Sequence, residues 1–315
     1  MRISNSKNKR IGITIGDPCG IGPEIVAKAL AQREIRHLAN YTIIGDREIY
    51  RRYGQIPNHC SLVDVSGHLP ARVQFGRANR PAAKASLFYL NKAVELLKDG
   101  EISGLVTAPV CKEAIVSSGI NFQGHTEYLA DAFGIKKFAM MFVTKKLKTV
   151  VMTRHIPLRK IIEKITAKDV YEMIQLIAKS LKELFQIANP RIAVCGINPH
   201  AGEKGTIGNE EITKIIPAIK KAKKSGLTVW GPLAADTLFV PSVAGRYDAI
   251  IAMYHDQGLI AVKTLYFSEL VNLTIGLPFI RTSPAHGTAF DIAGKSKADA
   301  SSMCEAIKLA VELSH

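Results

Sequence analysis

Three histidines occupy matching positions along this chain. KTVVMTRHIP carries His155 just past one apolar run, RIAVCGINPHAGE carries His200 just past a second, and YDAIIAMYHDQG carries His255 just past a third. The runs are short and bounded by polar residues, as buried strands are. Separations of 45 and 55 residues leave room for a helix-bearing crossover between one strand and the next. In open parallel α/β sheets, ligands gather outside the carboxyl ends of the strands. Three imidazoles delivered to one such edge could meet on a divalent metal and leave positions open for a substrate. Asp256 and Asp236 (in GPLAADTLF) are available to orient the rings as hydrogen-bond acceptors. The competing reading is three unrelated loop histidines. Recurrence of the same position in three of nine histidines weighs against it.

Other segments suit anions. GHTEYLA (124–130) sets Gly-His-Thr at the start of a helix, where free N–H groups and a hydroxyl can hold a carboxylate or phosphate. Alternatively, Thr126 is merely an N-cap. Lys263, Asn272 and Arg281 recur nine residues apart in AVKTLYFSELVNLTIGLPFIRTS. Arg281 follows GLPF in an apolar stretch, so on burial it needs a partner, either a bound anion or an intramolecular carboxylate. GDPCGIGPE (16–24) is glycine-rich between strand and helix. It matches neither GxGxxG nor the P-loop and reads as a tight turn. SPAHGTAFDIAGK (283–295) combines His, Thr, Asp and glycines in a loop suited to a backbone-rich nucleotide site.

The elements that must position these groups alternate. Apolar strands are expected at 10–16, 41–45, 104–109, 148–153, 191–197, 227–232 and 247–254. Amphipathic helices fall between them, one with Val170, Met173, Ile174, Ile177, Leu181 and Leu184 at helical spacing, and a last one over about 297–313. This alternation predicts an α/β fold with largely parallel pairing. A chain of 315 residues is long for one core, and no clean linker is visible, so two domains with a discontinuous piece are expected.

Composition excludes several classes. The apolar runs are far shorter than the roughly 20 residues that span a bilayer. The basic start MRISNSKNKR lacks the apolar core of a signal peptide, which predicts a cytoplasmic protein. Five scattered cysteines without a CxxC pair argue against disulfides and thiolate zinc. The formal charge of +15 invites nucleic acid, but the lysines sit in short clusters such as KKAKK (220–224) without interleaved aromatics. Solvated helix faces explain them better, and neither nucleic acid nor membrane is expected as a partner.

Taken in order, ITIGDPCGIGPEI, GHTEYLA, HIPL, NPHAGE, GPLAADTLF, AMYHDQG and NLTIGLPFIRTS resemble the 4-hydroxythreonine-4-phosphate dehydrogenase family of pyridoxal phosphate biosynthesis. The resemblance spans nearly the whole chain. It implies His155, His200 and His255 as ligands of one divalent ion (zinc, cobalt or magnesium), with one contributed across a homodimer interface. It implies His125, Thr126, Lys263, Asn272 and Arg281 as substrate contacts. The implied fold is that of the isocitrate and isopropylmalate dehydrogenases, two α/β domains with parallel or mixed sheets and an active site in the interdomain cleft. Residues 1–122 with 280–315 would carry the cofactor loop, and 123–279 the metal ligands and dimer interface. HGTAFDIAGK resembles the loop that lines NAD in those relatives, which assigns His286, Gly287, Thr288 and Asp291 to NAD or NADP. The implied reaction oxidises 4-phosphooxy-L-threonine and decarboxylates it to 3-amino-2-oxopropyl phosphate, with Lys263 or Asp236 taking the proton. Ala285 stands where the family often has Asp, and Ala261 where it often has Pro. Paralogues acting on other phosphorylated hydroxy acids share much of the pattern. A hydrolase using three histidines to activate water is the competing chemistry.

Overall fold

The computed structural model describes residues 10–69 and 73–314, so the basic N-terminal segment lies outside the described residues. Its strands are β1 (Arg10–Thr14), β2 (Asn40–Gly45), β3 (Cys60–Asp64), β4 (Gly104–Thr107), β5 (Ala139–Val143), β6 (Lys148–Thr153), β7 (Arg191–Cys195), β8 (Thr228–Leu233), β9 (Ala249–Tyr254), β10 (Val271–Ile275) and β11 (Ile280–Pro284). The chain divides into two compact units. One comprises Met1–Lys136, Val271–Leu273 and Leu277–His315, the other Lys137–Leu270 and Thr274–Gly276. The helix that begins at His125 therefore belongs to the first.

In the first unit the strand order is β3-β2-β1-β4-β11, and each of these neighbouring pairs is parallel. All four residues of β4 and the last four of β1 are buried, as expected for a parallel sheet covered on both faces. Helix Arg80–Lys98 starts where the sequence provides a stop and a cap. The Asn79 side chain accepts from the Ala82 amide, and Pro81 occupies the first turn, where its missing N–H costs nothing. Its stripe of Ala82, Ala85, Tyr89, Leu90, Ala93 and Leu96 is buried. Each large side chain so buried contributes about 1.5–3 kcal/mol.

In the second unit the order is β5-β6-β9-β7-β8. β5 and β6 form an antiparallel pair, while β6–β9, β9–β7 and β7–β8 are parallel. Helix Ala167–Leu184 is capped by Thr166, whose hydroxyl accepts from the Asp169 amide. Val170, Ile174, Ile177 and Leu181 of the expected stripe are buried, and Met173 and Leu184 at its margins are half-buried.

Two elements differ from expectation. The last helix starts at Ser301, because 296–300 is tied down elsewhere: the Ala298 amide donates to the buried Glu24 carboxylate, which also accepts from Lys28. NEEITKIIPAIKKAKKSG (209–226), one of the amphipathic stretches between the expected strands, opens as a π-helical turn, Glu211–Ile215, before the α-helix Ile216–Lys224. Pro217 lacks the N–H that would continue an α-helical ladder at this point, and the wider turn absorbs the break.

Candidate functional site

The parallel order β6-β9-β7 puts the carboxyl ends of three adjacent strands on one edge, and each of the three histidines follows one of them. His155 comes just after β6. His255 follows β9 directly and opens helix His255–Tyr266, where the sequence suggested a loop. His200 lies in the turn Pro199–Gly205 after β7. The imidazoles of His155 and His255 approach with ring centroids 5.8 Å apart. Asp256 Oδ1 is 2.6 Å from His255 Nδ1, which fixes the ring and leaves Nε2 as the nitrogen that could meet a ligand. Asp236 sits exposed on the short helix Ala235–Leu238, beside the His200 turn, and its carboxylate accepts from the Thr237 amide. Within one chain, the described residues bring together no group of three or more His, Cys, Asp or Glu able to hold a metal. The donors present, imidazole nitrogens with one orienting carboxylate, are those a borderline divalent ion prefers.

Gln257 was not singled out by its spacing, yet it ties these strand ends together. Its Oε1 accepts from the Met253 amide at 2.6 Å and its Nε2 donates to the Gly196 carbonyl at 2.8 Å, joining β9 to the turn after β7. Thr153 Oγ1 donates to the Met253 carbonyl at 2.9 Å, joining β6 to the same point. The His200 turn is unusual in hand. His200, Ala201, Gly202, Glu203 and Lys204 all have φ between 41° and 78°. A left-handed residue other than glycine costs roughly 1–2 kcal/mol, so four of them need about 4–8 kcal/mol of support.

The anion chemistry gathers on the first unit. Helix His125–Ala132 begins after Gly124, whose φ of 153° favours glycine and which has no side chain to cap the first turn. Thr126 is thus not the N-cap. Buried inside the first turn, its hydroxyl accepts from Arg281 Nη1 at 3.3 Å. Arg281 Nη2 donates to Thr107 Oγ1 at 2.6 Å, across the parallel pair β11–β4. Arg281 is only 2% exposed, and burial lowers its pKa well below the usual arginine range, to about 10, with Glu127 opposing the shift. Of the two partners weighed for Arg281, the carboxylate is present: Glu127 is near enough to act on the guanidinium. His125 keeps some accessible surface, but burial first, then Arg281 and Lys112, push its pKa well below 6.5 and leave it neutral at pH 7. Lys112 and Glu127 flank Gly124, each with an atom 3.0 Å from where a Cβ would stand. Neither stood out in the sequence.

Asn272, in β10, is buried with Oδ1 lacking a hydrogen-bond partner, an acceptor that a ligand donor would satisfy. Lys263 is half-buried on the second unit, two helical turns beyond His255 and so roughly 12 Å along that helix.

GDPCGIGPE and the 283–295 loop meet in the first unit at the carboxyl edge of β1, β4 and β11. The Ile21 amide donates to the Thr288 carbonyl at 3.0 Å, and a Cβ on Gly20 would stand 3.0 Å from the Thr288 side chain. Gly22 is needed because a Cβ there would lie 2.2 Å from the Ile15 carbonyl. Gly287 is exposed with open space beside its Cα, a stretch of bare backbone of the kind a cofactor approaches. His286 Nδ1 lies 3.1 Å from the Gly287 carbonyl, and the Asp291 carbonyl accepts from Lys295.

Residues 19–310 match the family described as pyridoxal phosphate biosynthetic protein PdxA. A relative from Oceanobacillus iheyensis, provisionally named D-threonate 4-phosphate dehydrogenase, is 43% identical over 98% of both chains. A 4-hydroxythreonine-4-phosphate dehydrogenase from a Sulfurihydrogenibium species is 42% identical over 96% of this chain and 98% of that protein. The crystal structure of a 4-hydroxythreonine-4-phosphate dehydrogenase from Klebsiella pneumoniae aligns at TM-score 0.86 and 35% identity, covering 98% of this chain and all of that one. At 14% identity and TM-score 0.51, an isocitrate dehydrogenase from Methylococcus capsulatus shares the fold. No described helix is long and apolar enough to cross a membrane. With its fold and nearly its full length shared with these enzymes, the chain belongs to the PdxA family of dehydrogenases.

Proposed function

We propose that this protein oxidises 4-phosphooxy-L-threonine with NAD or NADP, in a divalent-metal-dependent reaction followed by decarboxylation to 3-amino-2-oxopropyl phosphate, as a step of pyridoxal phosphate biosynthesis. The observation that carries the reading is the delivery of His155, His255 and His200 past the ends of three adjacent parallel strands. They hold the ion, with one of the three coming across a homodimer interface. Large apolar side chains exposed on the second unit, among them Leu158, Ile260 and Phe267, support an interface there.

A divalent ion held there would supply Lewis acidity toward the substrate hydroxyl, and a nicotinamide would supply the hydride acceptor. The chain's own residues do the rest. Arg281, Thr126 and the N-terminal turn of helix His125–Ala132 hold the phosphate. Neutral His125 donates or accepts a hydrogen bond without adding charge. Asn272 Oδ1 takes a donor from the substrate, and Asp256 keeps the His255 ring in place. Lys263 contacts the substrate, and it or Asp236 takes the hydroxyl proton. His286, Gly287, Thr288 and Asp291 line the nicotinamide cofactor, with Thr288 anchored on the Gly20 turn.

The provisional name of the Oceanobacillus relative favours a second substrate, D-threonate 4-phosphate, with the same machinery. NADH formation with each substrate, with and without chelator, separates the readings. Turnover of 4-phosphooxy-L-threonine that requires metal supports the first. Turnover of only the threonate ester replaces it with the second. Robust turnover after chelation, or in His255→Ala, rejects the histidine-bound metal.

A further inference from the structure

The left-handed turn that carries His200 is held by a residue eleven positions downstream of that histidine. Glu211 is 2% exposed and opens the π-helical turn, and its carboxylate points back under Pro199–Gly205. Oε1 accepts from the Ile197 and Asn198 amides, both at 2.7 Å, and Oε2 accepts from Asn198 Nδ2 at 3.0 Å. The turn folds directly over this carboxylate, since a Cβ on Gly202 would stand 2.5 Å from Oε2 and one on Gly196 3.1 Å from Oε1. An anion that accepts from three N–H donors at once is a stronger clamp than a neutral group. An amide in its place would present its own NH2 to donors on at least one side. The clamp also touches the neighbouring strand end: Gly196, next to the clamped amides, accepts from Gln257, which holds the Met253 amide two residues before His255.

We propose that Glu211 is a positioning residue for the metal site, its carboxylate locking the 197–204 backbone in the left-handed form that presents the His200 imidazole. The proposal rests on the reading of His200 as a metal ligand. Glu211 itself touches neither metal nor substrate. It acts on how often the turn occupies the ligating conformation, so its loss lowers metal affinity even in a folded protein.

The test is a cobalt(II) titration of metal-free protein, read by visible absorption, on wild type, Glu211→Gln, His200→Ala and the double variant, with thermal melts of each. Glu211→Gln is expected to weaken cobalt binding about 10- to 100-fold. In the His200→Ala background the same change is expected to add nothing, because the group being positioned is gone. Wild-type affinity in Glu211→Gln overturns the proposal while leaving the ligand assignment intact. So does an equal loss in both backgrounds, which marks a general structural role. Wild-type affinity in His200→Ala overturns the ligand assignment itself and the proposal with it. Should Glu211→Gln not fold, Asn198→Ala removes the bond to Glu211 Oε2, together with the Asn198 bond to Glu210, and keeps both amide bonds to Oε1, so the same cycle applies with a smaller expected weakening. Unchanged affinity in that variant also overturns the proposal.

Discussion

Replacing Arg281 with Met should leave the protein at least as stable and strip it of most substrate affinity. Burial drops the guanidinium pKa well below its ordinary value, to about 10, which costs the charged form about 3 kcal/mol in the folded state. Because the native pKa is the lower one, this cost is present in full at pH 7 and is relieved only as pH rises through 10 and above. Against it stand the bonds to Thr126 and Thr107, worth about 1 kcal/mol each. Met fills similar space without charge, so Arg281→Met should gain on the order of 1 kcal/mol, a rise of about 1–3 °C in Tm. The phosphate then loses charge-assisted hydrogen bonds worth about 1.5–3 kcal/mol each, or roughly 10- to 150-fold in kcat/KM for a single bond. The loss should appear mainly in KM if the arginine binds ground and transition states alike. Thermal melts with and without inorganic phosphate, alongside steady-state kinetics, test both halves. A variant that melts many degrees lower and keeps kcat/KM within about threefold would refute the reasoning, because Arg281 would then serve Glu127 and the fold rather than an anion.

Two buried titrating groups should give stability opposite pH trends. His125, with its pKa pushed down by burial and by Arg281, binds fewer protons folded than unfolded, so its contribution is lost as pH falls below 6.5. Urea unfolding at pH 7 and pH 5 should show that loss shrinking in His125→Asn; an undiminished loss contradicts a buried neutral imidazole. Asp17 is fully buried and its pKa is raised from 3.8 to about 6 by burial, so its cost is absent below 3.8 and complete above 6. Asp17→Asn keeps an acceptor for the Cys19 amide and should add up to about 3 kcal/mol at pH 7.5, fading by pH 4; destabilisation at pH 7.5 would count against the burial argument. Asp256→Ala should weaken cobalt(II) binding about tenfold by freeing the His255 ring, and calorimetric titration showing no change would remove Asp256 from the site.

How far the site could be read from sequence depends on the range of the forces that build it. The strands bearing His155, His200 and His255 were legible because local apolar runs end at polar residues, and helix Ala167–Leu184 was legible from its cap and its period. That β6, β9 and β7 are neighbours could not be read, since strand order is decided by packing among distant segments. For Arg281 the need for a partner could be stated in advance, but Thr107 and Glu127 could not be named, because β4 and β11 meet across most of the chain. β3, β5, β10 and β11 were not separated from their surroundings, being short runs that periodicity does not distinguish from loop or helix.

The His200 turn marks the limit most clearly. Four residues with side chains stand at positive φ there, and composition offers only Gly202 and Gly205 as hints. Local propensity argues against such a turn, and its cause lies in a segment that itself reads as an ordinary amphipathic helix. In NEEITKIIPAIK, Glu211 falls where a solvent-facing carboxylate would be expected, yet it is buried and bonded to three N–H groups. The one local irregularity is Pro217, which breaks the helical ladder above it and permits the π-helical turn that opens at Glu211. A proline inside a predicted helix, with a carboxylate six residues before it and a strand-end histidine upstream, is a legible combination once the turn's hand is known. Sequence alone supplies the parts, and the non-local clamp decides what they make.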